Sequence, residues 1–326
     1  MSAVKRERPS RLFIGLALTT VLMTLGLIVF GAVVRVTDSG LGCGNEWPTC
    51  HGSLIPPLDN ITAWIEWLHR LFAVMIGLFG LGMLAVALAA YRKRNRFVLM
   101  ATTAAAILFA LQSTLGALVV VLDLPPTMVT LHLGTAMLLL GALLVSFLSA
   151  AYRTTHTYAK DRFTILAYLT TALSLVIILT GALVRGSGAT LACTDWPLCN
   201  GEVLPFNQGT LATIHMLHRA AVLGLGVALI LLTAYAFRTR QSTMIRAFAV
   251  GAFTVYLMQA GVGAMYVISA AAPIWGASHV GLAALTWAML VALSTIETAN
   301  STAVSRAHES EARPEWQPTS EAAVTR

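Results

Sequence analysis

Four histidines occupy comparable places within long apolar stretches of this sequence. They are His69, His132, His218 and His279. Ionisable side chains are uncommon in membrane spans and usually mark function, although a single histidine often only joins two helices by a hydrogen bond. Two imidazoles on facing helices can supply both axial ligands of a haem iron. The histidines therefore predict two haem sites, and zinc is the weaker alternative because few carboxylates accompany them.

Charged side chains next to these histidines differ between the two halves of the chain. Glu66 precedes His69 by three residues, which puts both on one helix face, whereas His215 has the matching place before His218. A carboxylate there can accept a proton beside a bound ligand, and a structural pairing with Arg70 or with a neighbouring helix is the alternative. Four arginines could clamp haem propionates or only reach towards the membrane interface. They are Arg35, Arg70, Arg185 and Arg219.

The four cysteines form two closely spaced pairs, each of which brackets a Trp-Pro step. We expect one disulfide in each loop, Cys43–Cys50 and Cys193–Cys199, on an oxidising face of the membrane. Free thiols, cross-pairing between loops and a joint four-thiolate zinc site are the alternatives. The spacings are longer than those of usual zinc knuckles.

The elements that must position these residues are membrane-spanning helices. The chain has 326 residues, of which 57% are hydrophobic and 11% are charged, whereas soluble domains have about 25% charged residues. Lipid leaves an open backbone without hydrogen-bond partners, and the apolar runs lack the alternation of barrel strands, so we expect an all-α polytopic membrane protein. Eight predicted spans cover about 12–34, 64–90, 97–122, 127–150, 163–185, 211–237, 245–269 and 275–297.

Basic residues gather at the N-terminus and in every second connection after it. The positive-inside rule then predicts that both termini are cytoplasmic and that the four histidines lie near the outer face. The formal charge of +7 is therefore a topology signal and does not indicate a nucleic-acid partner. We expect residues 1–11 to form a cytoplasmic segment and 299–326 a disordered cytoplasmic tail.

Polar landmarks recur in the same order in the two halves of the sequence. They align Gly31 and Arg35 with Gly181 and Arg185, His69-Arg70 with His218-Arg219, Gln112 and Gly116 with Gln259 and Gly263, and His132 with His279. Ordered landmarks predict a duplication, here of a four-helix unit. We expect two parallel repeats, 12–152 and 153–298, related by a pseudo-two-fold axis along the membrane normal.

Together these motifs resemble haem A synthase of the bacterial type, which has a cysteine pair in each half. The resemblance extends from the first helix to the eighth. Its motifs are Gly40-Leu41-Gly42-Cys43 with Trp47-Pro48-x-Cys50, Glu66-x-x-His69-Arg70, the run from Leu191 to Gly201, and His218-Arg219. The resemblance implies an oxidoreductase that converts a ring methyl of haem O, the farnesylated haem, to a formyl group and so makes haem A for terminal cytochrome oxidases.

The resemblance also implies roles for individual residues in a multi-pass protein of the bacterial cell membrane. His218 and His279 would hold a permanent haem b, His69 and His132 would hold the substrate haem O, and Glu66 would assist catalysis. Membrane lipid, haem O synthase and an electron acceptor are the candidate partners. Two other classes compete: a dihaem cytochrome b that carries electrons between quinol and a partner, and a transporter built from repeats.

Overall fold

Eight long helices account for most of the part of the chain that the computed structural model describes, residues 10–154 and 156–311, with side chains up to residue 301. They are α1 Arg11–Val36, α2 Ile61–Tyr91, α3 Arg96–Val121, α4 Pro126–Ala151, α5 Arg162–Gly186, α6 Thr210–Thr239, α7 Thr243–Ile268 and α8 Pro273–Glu311. Each is long and apolar enough to cross a membrane. The predicted all-α membrane fold is confirmed, and the predicted segment 1–11 lies almost wholly outside the described residues.

The last helix is longer than the sequence predicts. We expected disorder from residue 299, but α8 continues to Glu311. Asn300 and Ser301 are buried, and the Tyr152 hydroxyl donates to Asn300 Oδ1 at 3.1 Å. The predicted boundary was wrong because falling hydropathy marks the end of the apolar run and does not show where polar side chains still find buried partners. The rest of the predicted tail, 312–326, lies outside the described residues.

Polar caps fix where several of these helices begin. The Asn60 side chain accepts from the Ala63 N–H at 3.0 Å at the start of α2. Asp161 accepts from two N–H groups at the start of α5. The first turn of a helix has N–H groups without partners inside the helix, so these side chains stabilise the helix starts. The α2 cap also fixes the register of the helix that presents Glu66 and His69.

The helices of each half have corresponding neighbours. In the N-terminal half α1 packs on α2 and α4, and α3 packs on α2 and α4; in the C-terminal half α5 packs on α6 and α8, and α7 packs on α6 and α8. The halves meet where α4 contacts α5 and α8 and where α1 contacts α8. Trp287 of α8 donates to the Met137 carbonyl of α4 at 2.9 Å. A duplicated unit would produce this pattern, and the symmetry axis itself stays a prediction.

A buried ion cluster joins α5, α6 and α8 at the end of α6 remote from His218. Both oxygens of Glu297 accept from Arg240, at 2.6 and 3.0 Å, and the same guanidinium donates to Asp161 at 2.7 and 3.0 Å. Arg240 and Glu297 are buried, at 2% and 0% exposure. The hydrogen bonds from Arg240 lower the pKa of Asp161. The cluster clamps three helices of the C-terminal half together.

Candidate functional site

Each of the four predicted ligand histidines packs against a glycine of the preceding helix. The pairs are His69 with Gly31, His132 with Gly116, His218 with Gly181, and His279 with Gly263. A Cβ placed on any of these glycines would lie 2.8–3.1 Å from the ring Cε1 atom, which is closer than side chains normally approach. The imidazoles therefore lie directly against helix backbone because the facing residue has no side chain. All four glycines are among the residues that align between the two halves, but the sequence alone does not indicate their role.

The four rings line one cavity of about 1400 Å³. Both halves of the chain contribute to its walls, which are mostly apolar, and Glu66 is its one carboxylate among the described residues. Pockets for drug-sized ligands have volumes of about 300–1,000 Å³. The cavity therefore has room for more than one ligand of that size.

The C-terminal histidines are both held through their Nδ1 atoms. His279 Nδ1 lies 3.0 Å from the Gln259 carbonyl oxygen, which can only accept a hydrogen bond. His218 Nδ1 lies 3.0 Å from the Thr180 hydroxyl. Histidines that bind metals usually hydrogen-bond through the ring nitrogen that does not face the metal. Both imidazoles of this half are thus oriented by a hydrogen bond at Nδ1, an arrangement that is usual for histidines that bind a metal through Nε2.

The N-terminal histidines lack this support. Neither His69 Nδ1 nor His132 Nδ1 has a hydrogen-bond partner among the described residues, although both atoms are buried. His132 Nε2 instead lies 3.1 Å from the Gln112 amide nitrogen. A buried polar atom without a partner costs about 1–3 kcal/mol, and such atoms in native structures call for an explanation such as a missing ligand. The N-terminal pair is thus less organised in advance than the C-terminal pair.

The donor set of the four histidines fits haem better than zinc. All four line the same cavity, and the pairing of His69 with His132 and of His218 with His279 stays a prediction. Across residues 10–154 and 156–311, no group of three or more His, Cys, Asp or Glu side chains is gathered as around a metal ion. Structural zinc needs four ligands, whereas two histidines complete the coordination of a haem iron. An apolar cavity with two such pairs suits two macrocycles.

Glu66 lines the cavity with both carboxylate oxygens engaged. It is 3% exposed, its Oε2 accepts from the Cys43 N–H at 2.8 Å, and its Oε1 is paired with Arg70. This pairing is the structural alternative raised for Glu66, but a carboxylate has about four acceptor sites, so capacity to take a proton remains. At the matching position of the other half, His215 Nε2 lies 3.4 Å from Arg219. The link to Cys43 was not predicted, because it joins residues distant in sequence.

The α1–α2 loop and the α5–α6 loop are closed in the same way and cover the cavity. Disulfides join Cys43 to Cys50 with an S–S distance of 2.11 Å and Cys193 to Cys199 with one of 2.00 Å, which matches the predicted pairing. Arg70 donates to backbone carbonyls of the first loop, and the arginine that follows His218 donates to those of the second. Loop residues that line the cavity are Trp47, Pro48, Leu54, Trp196, Pro197 and Leu198.

Carboxylates stabilise the turns of both loops. Glu46 accepts from the Gly52 N–H at 2.7 Å, and Asp195 accepts from the Gly201 N–H at 2.9 Å. These backbone hydrogen bonds lower the pKa of both carboxyl groups. Both groups therefore stay ionised to a lower pH than an ordinary carboxyl group would.

All four arginines line the cavity, and the two at the ends of α1 and α5, Arg35 and Arg185, differ from the other two in their partners. Arg185 lies 3.9 Å from Asp38, and its buried Nε has no hydrogen-bond partner within the described part of the chain. Arg70 and Arg219 donate to backbone carbonyls of the two disulfide-closed loops, although the buried Nε of Arg70 likewise has no partner among the described residues. Propionate binding by any of the four stays a prediction.

Comparison with known proteins agrees with this site. The family described as COX15-CtaA, cytochrome oxidase assembly protein, matches residues 15–291. A protein named "Heme A synthase" from an Exiguobacterium species is 32% identical over 252 residues, covering 76% of this chain and 81% of its own. Proteins of the same name from Exiguobacterium sibiricum and Alkalihalophilus pseudofirmus are 32% and 34% identical, over 62% and 63% of this chain and 67% and 70% of their own. The chain belongs to the COX15-CtaA family of cytochrome oxidase assembly proteins.

Proposed function

We propose that this protein is a haem A synthase, which oxidises a ring methyl of haem O to a formyl group and so makes haem A for cytochrome oxidase. The observation that carries this proposal is one apolar cavity with two histidine pairs and one carboxylate, Glu66. Family membership and relatives named "Heme A synthase" support it. Neither competing class, the dihaem electron carrier or the transporter, has support from these comparisons.

The two halves have different roles in this proposal. His218 and His279 hold a haem b that stays bound, and that haem supplies one-electron transfer when present. Their Nδ1 hydrogen bonds favour this assignment. His69 and His132 hold haem O, which must enter and leave. The missing Nδ1 partners and the nearby carboxylate favour an exchangeable, reactive site in the N-terminal half.

The chemistry adds water-derived oxygen to a methyl carbon in two successive two-electron oxidations. Each round replaces one C–H bond by C–OH and releases two protons and two electrons, and the resulting gem-diol loses water to give the aldehyde. The electrons pass to an external one-electron acceptor. Glu66 accepts a proton from the attacking water at a carboxylate oxygen, and its ion pair with Arg70 fixes the position of that carboxylate.

The membrane supplies the route for the substrate. Leu71, Val74, Leu78 and Leu81 of α2 line the cavity and are also 38–64% exposed on the surface of the chain. In a bilayer such exposed apolar side chains face lipid, so the farnesyl tail of haem O can enter between helices. With both termini cytoplasmic, the site lies near the outer face, and haem O synthase and the electron acceptor are the candidate partners.

Histidine replacement combined with pigment extraction tests the proposal. In purified protein, His218→Ala or His279→Ala should remove the low-spin b-type spectrum. His69→Ala or His132→Ala should keep that spectrum but abolish formation of haem A and its hydroxylated precursor from haem O. If wild-type protein yields neither pigment from haem O, the enzymatic proposal is wrong. The reverse pattern among the variants would exchange the roles of the halves.

A further inference from the structure

Thr180 of α5 determines which nitrogen of His218 carries the proton. Its hydroxyl lies 2.8 Å from the Ile177 carbonyl and 3.0 Å from His218 Nδ1. A carbonyl only accepts, and a hydroxyl has one proton to donate, so the proton points to Ile177 and the hydroxyl accepts from His218 Nδ1–H. The Nε2 lone pair of His218 is therefore free to bind iron.

The matching residue of the N-terminal half cannot do this. Thr180 directly precedes Gly181, which faces His218, and Phe30 directly precedes Gly31, which faces His69. The Phe30 ring lies 6.0 Å from the His69 ring, and it offers no hydrogen-bonding atom. His69 Nδ1 accordingly has no partner among the described residues. One substitution between the halves thus accounts for a difference in how the two imidazoles are held.

We propose that Thr180 is a positioning residue that holds His218 as a ligand of the retained haem, and that Phe30, which cannot form this hydrogen bond, leaves His69 as a ligand from which haem O is easily released. This inference rests on the proposed function, because it assigns the retained haem to the C-terminal half. Loss of the outer hydrogen bond to a metal-binding histidine typically weakens metal binding about 10–100-fold. The same factor is expected here in the rate at which haem b leaves the protein.

The test measures haem transfer from purified, haem-loaded protein to excess apomyoglobin, followed by the visible spectrum. Thr180→Val keeps the shape but removes the hydroxyl, and it should speed transfer about 10–100-fold. Thr180→Ser restores the hydroxyl and should transfer haem at nearly the wild-type rate. Thr171→Val is the matched control, because Thr171 lies on the same helix and its hydroxyl contacts Ser294 of α8 at 2.9 Å; it should leave transfer unchanged.

The outcomes separate this inference from the proposed function. If Thr180→Val transfers haem as slowly as wild type while His218→Ala has lost it, only the role of Thr180 is wrong. Equal acceleration in Thr180→Val and Thr180→Ser would assign the effect to packing and would also overturn that role. If His218→Ala keeps its full b-type spectrum, the assignment of the halves fails.

The reciprocal variant tests the Phe30 part of the inference. Phe30→Thr introduces a hydroxyl at the matching position of α1, so purified Phe30→Thr protein loaded with haem O should release it more slowly than wild type. Release at the wild-type rate would show that Phe30 does not set exchange at His69.

Discussion

Replacement of Gly263 by alanine tests how tightly a ligand ring is held against the neighbouring helix. A Cβ at this position would lie 2.8 Å from His279 Cε1 and 3.1 Å from its Nδ1, whereas ordinary contact begins near 3.4 Å. The ring would have to retreat by about 0.6 Å from the nearer contact. His279 Nδ1 also lies 3.0 Å from the backbone carbonyl oxygen of Gln259, which belongs to α7 as Gly263 does. The ring therefore cannot retreat without lengthening that hydrogen bond.

The expected size of the effect follows from the cost of overpacking. An added methyl group in a close-packed site costs about 1–3 kcal/mol. Since about 1.4 kcal/mol corresponds to a tenfold change, haem binding at His279 should weaken roughly 5–150-fold. Alanine is the better helix former by about 1 kcal/mol, so α7 itself should not be weakened. The loss should thus appear in ligand binding and not in helix content.

Haem titration of apoprotein, followed by Soret absorbance, measures this change. Gly261→Ala is the matched control, because a Cβ there meets nothing within 4 Å among the described residues of the structure. We expect weaker binding in Gly263→Ala and unchanged binding in Gly261→Ala. Equal affinity in the two variants would refute the idea that the ring is pressed against α7, and equal loss in both would trace the effect to the helix.

Three further predictions concern the carboxylates. Glu66→Gln should keep haem b but lower haem A formation about 10²–10⁴-fold, because an amide cannot accept the proton. The loop variant Glu46→Gln should form haem A at the normal rate. Chromatography of the extracted haems measures both. Glu297→Gln removes the buried negative charge next to Arg240 and leaves Asp161 as its charge partner, so it should destabilise the protein by about 1.5–3 kcal/mol, seen as a lower melting temperature; an unchanged value would contradict the buried-pair account. The pKa of Asp161 is lowered in the folded protein, so its stabilising contribution should be complete above the ordinary carboxyl pKa and be lost as the pH falls through the pKa of the folded protein. Asp161→Asn should therefore remove this part of the pH dependence of the melting temperature in acid.

The sequence predicts the helices well because hydropathy and helix geometry are local properties. The predicted spans agree with α1–α7 to within about three residues at each end, since the length needed to cross lipid constrains them. The four histidines are found by the same reasoning, because their distance from the start of each even-numbered helix places them at one depth. The α8 boundary fails because Asn300 is held by Tyr152, and a partner so distant in sequence leaves no local trace.

Contacts between elements could not be predicted in the same way. In the sequence, Arg240 is only one of several basic residues that indicate membrane orientation. Its pairing with Glu297 depends on how α6 and α8 pack. The bond from the Cys43 N–H to Glu66 likewise needs the loop to fold back over α2. Gly31 and its three counterparts recur in the repeat, so the signal is present in the sequence. The role of these glycines depends on which residues face each other on neighbouring helices, and a single sequence does not give this register.

The two loops closed by disulfides have a consequence for the movement of haem under the proposed function. Each loop is a ring shut by a disulfide and tied by arginine to the helix beneath it, so the side of the cavity under the loops has a rigid cover. Under the proposed function, haem would then enter and leave sideways between helices, within the plane of the bilayer. Delivery and collection would depend on two-dimensional encounters with neighbouring membrane proteins. The rate at which haem is supplied should therefore depend on how densely those proteins occupy the membrane and not on the concentration of haem in water.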